Sequence, residues 1–262
     1  MAIARIGELR MYYEVHGSGE PVVLVAGYTC DHTFWDAVVP ALAERYAVLV
    51  FDNRAVGRTR DAGRPFTMET MAADTAALIR HQGWSRPCLV GQSMGGAVVQ
   101  TMLARFPQAC GPCAFVNSTP AFSTTTRLAL NTLFALRKAG ADLSLLVDAA
   151  LPWFAGERWL ADPANREAFL AALRDHPAPQ SLADQERQLR ALESFGMGVT
   201  PQWRSPALVI SGSEDLITTA TEGQALARSL DGRYVELPGG HTMPVEAPGP
   251  LVDALVDFFT KQ

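Results

Sequence analysis

Ser93 has Gly91 two residues before it and Gly95 two residues after, in the run CLVGQSMGGA at positions 88–97. A serine hydroxyl is a weak nucleophile at neutral pH, so chemistry at Ser93 requires a base within hydrogen-bond reach and a group to orient that base. The glycines supply access: at the tip of a very sharp strand-to-helix turn the chain passes so close to itself that side chains at both flanking places would clash. The apolar CLV before the serine and AVVQTMLARF after it supply the strand, turn and helix that such an elbow needs. A helix starting at Ser93 also turns backbone N–H groups and a partial positive charge toward any anion formed there.

The base and its orienting acid should follow later, acid first and histidine second, at the C-terminal ends of strands. Asp215, in SGSEDLIT after the strand-like ALVISG, and His241, in PGGHTMPVE after YVELPG, meet both conditions. Asp215 has a competing use as an N-cap for the helical run that follows, and Glu214 could stand in for it. The other histidines fit less well. His16 lies in an early strand, His81 at a helix end and His176 in a helical block, while His32 could line a pocket but comes too early. Ser93, Asp215 and His241 together predict acyl transfer to water, with no metal and no cofactor, and the sequence holds neither zinc-type ligand spacing nor a phosphate-cradling loop.

A second pattern, Cys110-Gly-Pro-Cys113, imitates a thiol redox box. In a redox box the first cysteine opens a helix; here the pattern follows a helical stretch and precedes a strand, so we read it as structural.

The elements that must carry these residues alternate. Strand-like runs at LRMYYEVHG, PVVLVAG, YAVLVFDN, PCLVG, CAFVN, PALVISG and RYVELPG are separated by helical runs such as FWDAVVPALAER, TMETMAADTAALIRHQ, ATEGQALARSL and PLVDALVDFF. VVLVA and VLVF are apolar throughout, as strands covered on both faces should be. This predicts an α/β fold, a mostly parallel central sheet with helices on both faces. After Asn117 the alternation stops, and TRLALNTLFALRKAG, NREAFLAALRDH and SLADQERQLRALESFG read as successive helices. We expect residues 1–119 and 204–262 to form the core and 120–203 an inserted all-helical lid, hinged at STPAFSTTT and TPQWRSP. Trp153, Phe154, Trp159, Phe195 and Met197 read as packing inside that insertion, not as substrate contacts.

GQSMGG, GSEDLIT, GGHTMPVEAPG with its closing helix, and FDNRAVGRTR together resemble the α/β-hydrolase fold superfamily over nearly the whole chain, most closely its esterases, enol-lactone hydrolases, carbon–carbon bond hydrolases and cofactor-free perhydrolases. The resemblance implies an oxyanion hole made by the backbone N–H groups of Tyr28 and Met94, and hydrolysis of an ester or lactone. Carbon–carbon cleavage, perhydrolysis and a non-enzymatic ligand receptor are the alternatives. A carboxylate nucleophile, as in haloalkane dehalogenases, is disfavoured by Ser93. Two places depart from the family pattern. The usual histidine after the third strand is missing from Ala26-Gly27-Tyr28, and Ala55 stands where a glycine is expected in FDNRAVGRTR, a segment whose Asp52 and Arg54 we read as structural.

The 262 residues, 48% hydrophobic and 19% charged, suit one large globular unit. A formal net charge of −5 without a basic cluster argues against nucleic acid or anionic lipid as partners. No signal-peptide core or membrane-spanning run stands out, so the expectation is a cytoplasmic enzyme acting on a small molecule, its oligomeric state open.

Overall fold

The computed structural model describes residues 2–196 and 206–261. Among them eight strands form one sheet: β1 (Ala2–Ile6), β2 (Leu9–His16), β3 (Glu20–Val25), β4 (Tyr46–Phe51), β5 (Cys88–Gln92), β6 (Cys113–Val116), β7 (Ala207–Gly212) and β8 (Arg233–Leu237). Their spatial order is β1-β2-β4-β3-β5-β6-β7-β8. The pairs β1/β2 and β2/β4 are antiparallel, and all later pairs are parallel.

Alternation of side chains explains the unbroken apolar runs. Val22 and Leu24 of β3, with Val48 and Val50 of β4, face α1 (Val39–Ala43) and α11 (Pro248–Phe259). Val23, Val25, Leu49 and Phe51 point the other way, against α2 (Met68–His81) and α3 (Met94–Arg105). A strand covered on both faces favours apolar side chains at every position.

Two details differ from the sequence reading. β1 extends the sheet by one strand, paired with β2 through a hairpin whose turn contains Gly7 at φ +58°. Its alternating, half-exposed residues give a weaker signal than the central strands. The single helix expected over FWDAVVPALAER is instead a 3-10 turn, His32–Trp35, followed by the short α1. Pro40 at the start of α1 cannot donate to a preceding turn, so the helix begins there.

Between β6 and β7 the chain runs through α4 (Thr124–Lys138), α5 (Leu143–Phe154), α6 (Glu157–Leu160), α7 (Pro163–Arg174) and α8 (Leu182–Glu193). Val147, Leu151 and Ala155 form a small core there with Trp159, Phe169 and Leu170. Phe195 packs instead against Phe122 in the main core, their ring centroids 5.9 Å apart. Met197, Trp203, the expected boundary after residue 203 and all of the TPQWRSP joint except Pro206 lie outside the described residues. The remaining helices are α9 (Ala220–Ser229) and α10 (Met243–Glu246), which flank β8.

Candidate active site

Ser93 sits between β5 and α3 with φ +53° and ψ −117°, a conformation that an L-residue occupies only when its surroundings enforce it. The enforcement is visible at both glycines. A Cβ on Gly91 would lie 2.5 Å from the Gly95 carbonyl oxygen, and one on Gly95 would overlap the Val25 carbonyl. From the next strand's end, Ser118 Oγ donates to the Ser93 carbonyl at 3.0 Å.

The structure brings the three residues named above into one line. His241 Nε2 lies 2.9 Å from Ser93 Oγ, and His241 Nδ1 lies 2.8 Å from Asp215 Oδ2. All three are buried. Asp215 is not a helix cap: Thr219 caps α9, and Asp215 Oδ1 instead accepts from the Ile217 and Thr218 amides at 2.8 and 2.9 Å. Thr218 Oγ1 donates to Asp215 Oδ2 at 2.8 Å. Those bonds aim the remaining face of the carboxylate at the imidazole. Glu214 points elsewhere, accepting from the Glu157 amide of α6 at 2.7 Å. The histidine loop is anchored through its own backbone. Gln92 Nε2 donates to the His241 carbonyl at 3.0 Å, and Asn117 Nδ2 donates to the Gly240 carbonyl at 2.7 Å.

Met94 is the first residue of α3, where helix geometry leaves the amide without an intrahelical acceptor. The loop after β3 reaches the same spot: a Cβ on Gly27 would meet Ser93 Cβ at 3.3 Å and overlap Gln92 Oε1. Gly27 therefore begins a turn, with Tyr28 as its second residue, that lies directly against the serine. Burial pushes the Tyr28 phenol well above its ordinary pKa, so the side chain stays protonated.

Several neighbours lie beyond the sequence reading. Phe154, assigned above to packing inside the insertion, lays its ring against His241, with centroids 5.6 Å apart. Its carbonyl also accepts from the Thr242 amide at 3.0 Å. Trp153 lines a groove between α4 and α5 with Leu128, Leu133 and Leu136, within the helical segment itself. From α8, Gln188 reaches Thr29 and Arg54, a contact across more than a hundred residues that no local pattern announces.

A second histidine–carboxylate pair lies nearby without a serine. His32 Nδ1 is 2.6 Å from Asp52 Oδ1, the same oxygen accepts from the His32 amide, and Asp52 Oδ2 accepts from the Arg58 amide. Asp31, His32 and Asp52 are close enough together to suggest a cation site. Their oxygens are already engaged, however, since Asp31 Oδ1 accepts from both the amide and the hydroxyl of Thr33. The cluster stitches two loops together, consistent with a structural use of Asp52. Arg54 is likewise structural in its contacts, gripping Asp74 through Nε and Nη2 at 2.8 and 2.9 Å. Ala55 keeps the left-handed turn expected of a glycine, at φ +67°.

Cys110 and Cys113 are free thiols, buried just before and at the start of β6. Burial pushes the Cys110 thiol up to about 12 and Cys113 well above its ordinary range, the reverse of a redox box. Among the described residues, no helix is long and apolar enough to cross a membrane.

The eight-stranded sheet and the serine elbow belong together as one architecture, and comparison with known proteins agrees. A family model described as alpha/beta hydrolase fold matches residues 20–248, and the chain belongs to this family, as a hydrolase of that fold. Its relatives include a Mycobacterium tuberculosis protein provisionally named non-heme bromoperoxidase BpoC, 29% identical over 96% of this chain and 98% of its own length. Among solved structures, an esterase from Thermogutta terrifontis is 25% identical with a TM-score of 0.85, covering 98% of this chain and 96% of its own. An enol-lactonase from Burkholderia xenovorans LB400 shares the fold at 24% identity and a TM-score of 0.87, covering 98% of this chain and 99% of its own.

Proposed function

We propose that this chain is a serine hydrolase that cleaves a carboxylic ester or lactone through a covalent acyl-enzyme. The observation that carries the reading is the continuous chain of contacts from Asp215 Oδ2 through His241 to Ser93 Oγ, at 2.8 and 2.9 Å. Ser93 Oγ attacks the carbonyl carbon while its proton passes to His241 Nε2. Asp215 accepts the Nδ1 proton's hydrogen bond throughout and stabilises the imidazolium without taking the proton itself. The developing oxyanion is held by the amides of Tyr28 and Met94. Collapse of the tetrahedral intermediate expels the alcohol, which leaves with the proton from His241. His241 then deprotonates a water that attacks the acyl carbon, releasing the acid and restoring Ser93. From a lactone, alcohol and acid leave as one hydroxy acid. Residues 120–203 act as a lid, with Phe154 covering the histidine.

Perhydrolysis is a second reading, motivated by the provisional name of the Mycobacterium relative. In it hydrogen peroxide replaces water in the second half-reaction, and the product is a peracid formed on the same acyl-enzyme.

The test is turnover of a p-nitrophenyl ester series of increasing acyl length by the purified protein, beside Ser93→Ala, Asp215→Ala and His241→Ala. We expect steady turnover, lost by a factor of roughly a thousand or more in the Ser93 and His241 variants. A folded wild-type protein without Ser93-dependent turnover of esters or lactones would overturn the proposal.

A further inference from the structure

The turn that carries the Tyr28 amide is held in shape by a residue outside the core. The Cys30 amide donates to the Gly27 carbonyl at 3.3 Å, closing a four-residue turn with Tyr28 and Thr29 at its centre. Thr29 has φ +64°, a conformation that glycine takes freely at this place in a turn and a β-branched residue resists. Left alone, the peptide between Tyr28 and Thr29 would gain by rotating over, which relieves Thr29 and reshapes the loop against Ser93. One contact opposes that rotation: the Thr29 amide donates to Gln188 Oε1 at 3.1 Å.

Gln188 is built to hold this bond. It is completely buried, and its orientation is fixed at both ends. Its Nε2 donates to the Arg54 carbonyl at 2.8 Å, while its Oε1 also accepts from Gln180 Nε2 at 3.0 Å. Gln180 is itself oriented by donating to the Ala55 carbonyl at 2.7 Å. Two donors on the oxygen and a carbonyl on the nitrogen leave the amide one orientation. A side chain from α8 thus braces the core loop that follows β3.

We propose that Gln188 is a positioning residue for the oxyanion site: by holding the Thr29 amide it keeps the Tyr28 turn in the form that serves the transition state, and so makes the site depend on the insertion being docked. This rests on the reading of Tyr28 as an oxyanion donor.

The test compares the wild type, Ser93→Ala, Gln188→Leu and the double variant Thr29→Gly/Gln188→Leu on one p-nitrophenyl ester, with melting temperatures recorded for each. Gln188→Leu keeps the volume and removes every bond. We expect kcat to fall ten- to thirtyfold with KM within threefold, because a loop displaced by less than about 1 Å loses transition-state contacts before ground-state ones. Thr29→Gly removes the strain, so the double variant should recover at least fivefold of the lost kcat, which a merely structural role would not produce. Should Gln188→Leu fail to fold, Gln188→Asn carries the same test, its amide withdrawn from Thr29. An unchanged kcat, a loss confined to KM, or no recovery in the double variant would overturn the inference while Ser93-dependent turnover stands. Absence of that turnover in the wild type would identify the failure as that of the hydrolase reading, and this inference would fall with it.

Discussion

Gly27→Ala tests the assignment of the Tyr28 turn to the oxyanion while leaving Ser93, Asp215 and His241 themselves in place. Gly27 lies between Gln92 and the nucleophile, and an added Cβ would fall about 1 Å inside ordinary contact with Gln92 Oε1, and 3.3 Å from Ser93 Cβ. Gln92 cannot simply swing aside, because its Nε2 holds the His241 carbonyl at 3.0 Å. The displacement must go into the Tyr28 turn, into the Gln92–His241 contact, or into both. A misplacement of about 1 Å near reacting atoms costs roughly a hundredfold in rate, or about 2.7 kcal/mol of transition-state stabilisation. That is close to the loss expected on removing one oxyanion donor, about 3 kcal/mol. The assay is kcat/KM on a short p-nitrophenyl ester beside thermal unfolding followed by circular dichroism. We expect kcat/KM to fall by about two orders of magnitude with little change in Tm. A variant within threefold of wild type would refute the assignment of this loop to the oxyanion. A rate loss accompanied by a collapse in Tm would refute the claim that the effect is local.

Three further outcomes follow from the polar contacts and thiols. Arg187→Ala should lower stability by about 2–3 kcal/mol in urea titrations, because the Asp61 carboxylate, little exposed and gripped by both Nη atoms at 2.9 and 3.0 Å, would lose its principal partner. Burial tends to raise the Asp61 pKa, but its bonds to Arg187 and the Gly63 amide and the nearby cations outweigh this, so the pKa is lowered. Its contribution is present above the unfolded carboxylate range, and the gap between wild type and variant should therefore narrow as pH falls below about 4; a constant gap would contradict it. His32 behaves oppositely. Burial pulls its pKa down, yet Asp52, Asp31 and Glu14 outweigh that and the net shift is upward, so its stabilisation is full below about 6.5 and fades as pH rises through the raised value. His32→Gln should flatten the fall in urea midpoint from pH 6 to 8, and an identical slope in the variant would tell against it. Finally, burial raises all four thiols, Cys30 to about 12 and Cys88 to about 11, so a thiol reagent at pH 7.5 should label four cysteines in denaturant and almost none in the native protein. Rapid native labelling of Cys110 would reopen the redox reading.

What is legible in the sequence is what is decided locally. The elbow can be read because close approach of the backbone requires glycine at the positions two residues either side of Ser93, and the central strands because burial on both faces leaves them almost wholly apolar. Asp215 and His241 can be found because the ends of parallel strands are where such a sheet gathers side chains, although only the structure separates Asp215 from Glu214. The contacts of Phe154 and Gln188 cannot be read. Each depends on how a helix of the insertion meets a loop from a distant part of the chain, and at the level of pattern an aromatic or a glutamine in an amphipathic helix looks like ordinary packing. β1 escapes for a different reason, since a half-exposed edge strand has little burial to imprint on its sequence.

Besides apolar packing and the Arg187–Asp61 pair, the helices between β6 and β7 are joined to the rest of the chain by side chains gripping main chain. Gln188 and Gln180 hold the Arg54 and Ala55 carbonyls and the Thr29 amide, Glu214 and Glu246 hold the amides of Glu157 and Gly156, and Thr126 holds the Ile217 carbonyl. Main-chain groups are common to nearly every residue type, proline's missing N–H apart, so these contacts constrain the path of the gripped backbone more than the identity of its side chains. A redesign of the helices between β6 and β7 would therefore have to preserve a handful of gripping residues, the backbone path they grasp and the apolar residues set into the main core, while their solvent-facing positions could be rebuilt.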